Sequence, residues 1–321
     1  MRILSGIQPS GKLHIGNYFG MMKPMIEAQK RGELFCFIAD LHALTSLADC
    51  QALKKYTLEA ALDFLALGID PEKSVFWVQS DIPEINELTW YLSNVTPVGL
   101  LQRAHSYKDK VAKGIPANAG LFNYPVLMAA DILSVQTNVV PVGQDQKQHV
   151  EIARDIAIKF NNTYGEIFTL PEPEIKKDIA VVPGIDGQKM SKSYNNVLEI
   201  FGAESELKKK VMSIVTDSTP VDKPKDPDKS IIYALYKLFA TPEQEKNIRQ
   251  KFQAGGFGYG DAKKELLGLL LDYFAPYRQK RAELAKNMDQ VEQILAAGTE
   301  KARAVISKTM NTVRKAVGTG R

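Results

Sequence analysis

Residues 2–17 read Arg2-Ile3-Leu4-Ser5-Gly6-Ile7, then Gln8-Pro9-Ser10-Gly11, then Lys12-Leu13-His14-Ile15-Gly16-Asn17. The first six are mostly apolar, the pattern of a short buried strand, which breaks at Pro9, Ser10 and Gly11 before a long helical pattern begins. Strand, glycine-punctuated turn and helix in that order place His14, Ile15, Gly16 and Asn17 at a helix start. Free backbone N–H groups and the positive end of the helix dipole favour a phosphate there. Gly16 lets an adenine or ribose approach the backbone, since it has no side chain to block it. His14 adds a donor, although a histidine in this place also serves as an ordinary cap or surface residue.

The same alternation continues outward. Leu34 to Ala39 read as a second buried strand ending at Asp40, Leu41 and His42, and a helix with Leu53, Leu58, Ala61, Leu62 and Leu65 follows. Ser74 to Val78 make a third strand and Asn138 to Val142 a fourth. Strands and helices at this spacing predict an α/β fold, a Rossmann-like parallel sheet with right-handed crossovers whose ligands bind beyond the strands' carboxyl ends. Gln8 and His42 fall at that rim. So does Gly143 to His149, an acceptor-rich run suited to ribose hydroxyls and a substrate amine, with Asp145 matched to a ribose diol. From residue 204 to 317 only helical patterns remain, with stripes at Leu266, Leu267, Leu270 and Tyr273 and at Val291, Ile294 and Leu295. The expected division is a catalytic domain over 1–196 and an all-helical domain over 197–321, leaving open that the last helices pack back on the first domain.

Three further stretches carry candidate chemistry. Gly187-Gln188-Lys189-Met190-Ser191-Lys192-Ser193 sets two ammonium groups three residues apart among hydroxyls after a flexible Asp186-Gly187 turn. Lysine is a point charge on a flexible stem, able to follow phosphate oxygens as negative charge migrates; alone, such a loop reads equally as a solvated basic surface. In Gly120 to Val135, Tyr124, Met128 and Asp131 share one helix face by their four- and three-residue offsets. The Asp131 carboxylate stands in an apolar run and needs a donor, either a neighbouring structural group or a ligand N–H. Residues 84 to 105, with Trp90, Tyr91, Leu92, Val95, Val98, Leu100 and Leu101, hold more apolar surface than one helix buries internally, which fits a dimer interface or a core helix with its connecting loop. Lys108, Lys110 and Lys113 form a basic loop able to reach phosphates.

Composition narrows the class. The 321 residues are 45% hydrophobic with 41 basic and 37 acidic side chains, a net charge of +4, so any polyanion-binding surface comes from local clustering. One such cluster is 301–321, which holds Lys301, Arg303, Lys308, Arg314, Lys315 and Arg321 and no acid, a plausible footprint for RNA phosphates. Two cysteines, Cys36 and Cys50, make neither a disulfide framework nor a four-cysteine metal site. No leader-like opening and no membrane-length apolar run is present, so the expected location is the cytoplasm.

With these pieces in order, the chain resembles the class I aminoacyl-tRNA synthetases and, within them, the tryptophanyl-tRNA synthetases. Gly6 to Gly20 looks like the family's first signature, Lys189 to Ser193 matches its second, Tyr124 to Leu133 resembles its tryptophan-side helix, and Gly143 to His149 its ribose- and amine-contacting segment. Asn17 replaces the histidine of most class I enzymes, as is common in this subfamily, and Leu4 stands where some bacterial members place an aromatic. The iron–sulfur cluster of some members needs four cysteines and is not implied.

The resemblance implies ATP-dependent activation of L-tryptophan to an adenylate and transfer to tRNA(Trp), by a cytoplasmic homodimer whose helical half binds the anticodon end. It implies ATP contacts at Gln8, Pro9, Ser10, Gly16, Asn17, Gly143, Gln144, Asp145, Val182, Lys189, Met190, Ser191, Lys192 and Ser193. The catalytic groups would be His14, Lys110, Lys189 and Lys192. The tryptophan pocket would comprise Leu4, His42, Tyr124, Met128, Asp131, Val140, Val142 and Gln146. Mg²⁺ would be held mainly by ATP itself, since the sequence suggests no carboxylate cage. Competing readings are a tyrosyl-type synthetase, a small-molecule nucleotidylyltransferase sharing the first signature, and a non-catalytic RNA-binding paralogue.

Overall fold

The computed structural model describes residues 1–104, 107, 118–175 and 182–319. Lys108, Lys110 and Lys113 lie outside the described residues, as do the side chains of Asp145 and Ser193. Strands β1 (Arg2–Ile7), β2 (Glu33–Ile38), β3 (Ser74–Val78), β4 (Val139–Pro141) and β5 (Glu172–Glu174) form one parallel sheet in the order β3-β2-β1-β4-β5. β2 is buried along all but its first residue and β3 throughout, as befits parallel strands covered on both faces. The order reverses between β1 and β4, and such a switch opens a crevice beyond the carboxyl ends. β5 was not expected: Glu172-Pro173-Glu174 has neither alternation nor an apolar run, and Pro173 is tolerated because the strand is an edge.

The principal helices are α1 (Cys50–Leu67), α2 (Glu84–Ser93), α3 (Ala119–Ser134), α4 (Lys147–Tyr164), α5 (Glu204–Met212), α6 (Ile231–Tyr236), α7 (Pro242–Ala254), α8 (Tyr259–Leu284) and α9 (Met288–Val317). The regular helix expected after His14 is instead interrupted. A short α-helical piece, Ile15–Asn17, passes into a π-turn, Tyr18–Met22, before Lys23–Ala28. The Lys23 N–H reaches the Tyr18 carbonyl across the wide turn. Pro24 follows, a residue that has no N–H to give and whose ring an ordinary helical interior excludes.

The chain forms two compact units, and its C-terminal helix packs with the first of them, as the sequence left open. One comprises Met1–Gly11, Pro24–Lys177 and Leu284–Arg321, the other Lys12–Lys23 and Asp178–Glu283. The reason lies in α9, whose apolar row Ala302, Ile306, Met310 and Val313 joins the core that contains Val75, Trp77, Ile85 and Leu88. The helix comes so close to β3 that a Cβ on Gly298 would stand 1.8 Å from the Phe76 carbonyl oxygen. Several cations of the basic C-terminal stretch also have intramolecular partners. Arg314 Nε donates to Glu87 Oε1 at 2.8 Å, the Arg303 guanidinium to the Asp81 carbonyl at 2.7 Å, and Lys301 Nζ to the Pro71 carbonyl at 3.2 Å.

Within 84–105, Ile85, Leu88, Leu92 and Leu101 are core, whereas Trp90 and Val98 are 69% and 60% exposed. The apolar excess of that stretch is therefore split. A charge at Leu92 would disrupt the core rather than report on an interface. The second unit is built round an aromatic cluster in which Tyr18, Phe19, Phe239, Tyr273, Phe274 and Tyr277 meet mostly edge to face. Among the described residues no helix is long and apolar enough to cross a membrane.

The docking of α9 yields a test of opposite sign to helix propensity. Alanine normally favours a helix interior over glycine by about 1 kcal/mol, but at position 298 its methyl collides with backbone. Gly298→Ala is expected to lower the melting temperature, as overpacking does at a cost of roughly 1–3 kcal/mol; an unchanged or raised melting temperature would contradict this packing.

Candidate active site

β1 and β2 end at residues that open a cavity of about 340 Å³ in the first unit, and α3 and β4 supply the rest of its lining. This is the switch point of the sheet. Leu4, Gly6, Phe37, Met128, Ile132 and Val140 give it apolar walls, while Gln8, His42, Tyr124, Asp131 and Gln146 contribute polar groups. Gly6 is required there, because a Cβ would meet the Phe37 ring at 2.7 Å. Phe37 in turn stacks on Trp77 with centroids 5.4 Å apart. The face predicted for α3 is the face that lines the cavity. Val142 is not on its wall and instead packs, partly buried, against the main core. Gln8, expected at the nucleotide, lines this cavity too.

Asp131 is 5% exposed. His42 Nε2 donates to its Oδ2 at 2.8 Å, and the Gln79 amide donates to Oδ1 and Oδ2 at 2.8 and 2.9 Å. Burial pushes this carboxyl above its ordinary value, and the bonds from His42 and Gln79 oppose that rise by favouring the anion. Asp131 thus has the structural donors the sequence left as one alternative, and it still faces the cavity. Tyr124 shares a hydrogen bond of 3.1 Å with His149 Nε2. Burial raises its phenol, so Tyr124 stays a neutral hydroxyl.

The second unit brings the two signature stretches together. Leu13, His14 and Ile15 lie along Leu198 to Ile200 through the Ile15 N–H to the Leu198 carbonyl at 3.0 Å and the Ile200 N–H to the Leu13 carbonyl at 3.1 Å. A Cβ on Gly16 would be 3.3 Å from Met190 Cβ. Lys189 pairs with Pro183 as an antiparallel bridge closed by a turn in which Gly187 has φ +84°. The buried Asn196, which sequence reading did not single out, pins this hairpin. Its Nδ2 donates to Asp186 Oδ1 at 2.8 Å and to the Lys189 carbonyl at 3.1 Å, and its Oδ1 accepts from the Ser191 N–H at 2.8 Å. Val182 and Met190 are buried beneath it, whereas Lys189 and Lys192 are exposed.

His14 is buried, and its Nδ1 accepts from the Asn17 N–H at 3.3 Å. The proton of the neutral ring is therefore on Nε2. Burial first, and the Lys192 ammonium second, hold the imidazole down to about 4. Of the residues expected to contact ATP, Gln8, Pro9, Ser10, Gly143, Gln144 and Asp145 belong to the first unit. Gly16, Asn17, Val182 and Lys189 to Ser193 belong to the second.

A parallel sheet with a single carboxylate in an apolar pocket at its switch point, and a glycine turn and a lysine hairpin elsewhere in the chain, are the features that the resemblance to the class I synthetases implies. The family model for tRNA synthetases class I (W and Y) matches residues 1–274. A tryptophan–tRNA ligase of Fusobacterium nucleatum is 57% identical over 99% of this chain and 98% of its own length. One from Campylobacter jejuni is 54% identical over 99% and 100%. The solved structure of the tryptophanyl-tRNA synthetase from Campylobacter jejuni complexed with ADP and tryptophan superposes with a TM-score of 0.96 at 53% identity, covering 99% of this chain and 100% of that one. The chain belongs to the class I tRNA synthetases and, within them, to the tryptophanyl-tRNA synthetases.

The neutral His14 carries a pH signature. The unfolded chain takes up this proton near 6.5 and the folded one only near 4, so between these values the unfolded state binds more protons and stability falls as pH falls. An NMR titration of the four histidines should show His14 neutral throughout the range in which an exposed imidazole titrates. Lys192→Ala should raise its midpoint only part of the way, since burial remains. A wild-type midpoint at the ordinary value would contradict the assignment.

Proposed function

We propose that this enzyme joins L-tryptophan to ATP, forming tryptophanyl-adenylate and pyrophosphate, and passes the tryptophanyl group to tRNA(Trp) in the cytoplasm. The observation that carries the reading is the buried Asp131 facing an apolar cavity at the sheet's switch point. An indole is a flat apolar body with one N–H, and that pairing of walls with a single acceptor fits it. The Campylobacter enzyme solved with ADP and tryptophan supports the same assignment.

The amino-acid carboxylate attacks the α-phosphorus in line while the bond to the β-phosphate oxygen breaks. No enzyme side chain becomes covalently bonded, so catalysis is positioning together with stabilisation of the charge leaving on pyrophosphate. Lys189 and Lys192 follow that charge, and His14 offers a neutral Nε2–H to a phosphate oxygen. Gly143 and Asp145 hold the ribose, and Gln146 and Tyr124 the substrate amine. Among the described residues no three His, Cys, Asp or Glu side chains converge on one point. Mg²⁺ would be held mainly by the oxygens of ATP itself. The exposed Trp90 and Val98 support a homodimer that covers this side of 84–105.

ATP–pyrophosphate exchange with each amino acid tests the reading, with tryptophan expected to support it and tyrosine and phenylalanine not. Asp131→Asn should raise the KM for tryptophan by roughly tenfold or more, through loss of a buried charged acceptor, and leave the KM for ATP nearly unchanged. Lys192→Ala should lower kcat by about 10²–10³, the usual effect of deleting one donor to developing charge, with tryptophan affinity retained. Exchange driven equally by several aromatic amino acids would overturn the assignment.

A further inference from the structure

Gln79 is fully buried and does not line the cavity. It sits in the single 3-10 turn Gln79–Asp81 directly after β3. Its Oε1 accepts from the backbone N–H groups of Leu41 and His42 at 3.1 and 3.4 Å. A backbone N–H can only donate, so the oxygen of the amide must face them and the NH₂ must face Asp131, where it contacts both carboxylate oxygens. The orientation of this amide is therefore fixed by the chain rather than by Asp131.

The turn is itself held from two other elements. Asp40 Oδ1 accepts from the Ser80 N–H at 3.0 Å. From α9, the Thr299 hydroxyl donates to Asp81 Oδ2 at 3.1 Å, and the Arg303 guanidinium to the Asp81 carbonyl at 2.7 Å. Asp131 Oδ2 thus accepts from both Gln79 and His42, while Oδ1 accepts from Gln79 alone and keeps capacity for one more donor.

We propose that Gln79 is a positioning residue for amino-acid selection: a backbone-locked amide that obliges Asp131 to act as an acceptor and leaves one of its oxygens open to the ring N–H of the substrate. The inference rests on reading the cavity as the tryptophan pocket. A donor that cannot turn round favours the carboxylate over the acid, which would present its own O–H and confuse the recognition of a donor. The titratable groups around the pair are His42 in direct hydrogen bond, Asp40 just after β2, Asp81 at the end of the turn, and Tyr124 on the cavity wall.

The test measures KM for tryptophan, KM for ATP and kcat against pH in pyrophosphate exchange by the full-length enzyme. Gln79→Met keeps length and removes the donor. It should raise the KM for tryptophan by roughly tenfold at neutral pH and more as pH falls, since Asp131 then takes up a proton more readily, with the KM for ATP unmoved. Gln79→Glu should show the opposite slope, near wild type at low pH, where the acid form donates to Asp131, and weaker as pH rises and two carboxylates repel. An unaltered tryptophan KM and pH profile in Gln79→Met, or a parallel rise in the KM for ATP, would overturn the proposal. Should Gln79→Met not fold, a pH-independent tryptophan KM in Gln79→Glu overturns it equally. Wild-type enzyme that fails to exchange with tryptophan would defeat the pocket assignment itself, whereas normal wild-type exchange with an unaffected variant defeats only the positioning role.

Discussion

A carboxylate removed from water must be given its hydrogen bonds by the protein, and at Asp131 that requirement reaches through much of the first unit. Leaving a charge buried and unpaired costs several kcal/mol, and at this acid His42, shortly after β2, and Gln79, directly after β3, supply the bonds. Both depend on strands ending in register on the same edge of the sheet, with Ile38 opposite Val78 and Ile7 opposite Ile38. The parallel sheet is thus more than a platform: its register decides whether the acid on α3 is satisfied.

The same turn ties the C-terminal helix to the pocket. α9 lies against β3 with no room for a side chain at Gly298 and grips Asp81 through Thr299 and Arg303. A helix nearly at the end of the chain therefore supports the residue that supports the acid. Several of the cations that made its sequence look like an RNA-facing surface, Arg303 and Arg314 among them, are engaged within the unit.

Much of this was legible from sequence where the signal is local. β1 to β4 are short apolar runs punctuated by glycine, proline or polar residues, and the face of α3 follows from offsets of three and four. The hairpin around Lys189 shows as a polar run after a glycine turn. What escaped were partnerships between residues distant in the chain. Gln79 looks like any glutamine after a strand, Asn196 like any loop asparagine, and neither reveals that its amide closes a network. β5 has no strand signature because pairing with β4, rather than its own side chains, makes it a strand. The place of α9 was left open for a related reason: it has an ordinary amphipathic sequence, and nothing in it says which surface its apolar row will cover.

The role we propose for Asp131 is that of a single buried acceptor, in an apolar pocket, for the indole N–H. It is tested most directly by comparing tryptophan with its isostere in which sulfur replaces the ring N–H, in pyrophosphate exchange by the wild-type enzyme. Shape and apolar area are nearly preserved, so the walls treat the two alike, but the isostere leaves a buried acceptor without its donor. kcat/KM is expected to be lower for the isostere by roughly tenfold to a hundredfold, the cost of about 1–3 kcal/mol for a buried polar group left unpaired, with ATP kinetics unchanged; equal kcat/KM for the two would contradict this recognition.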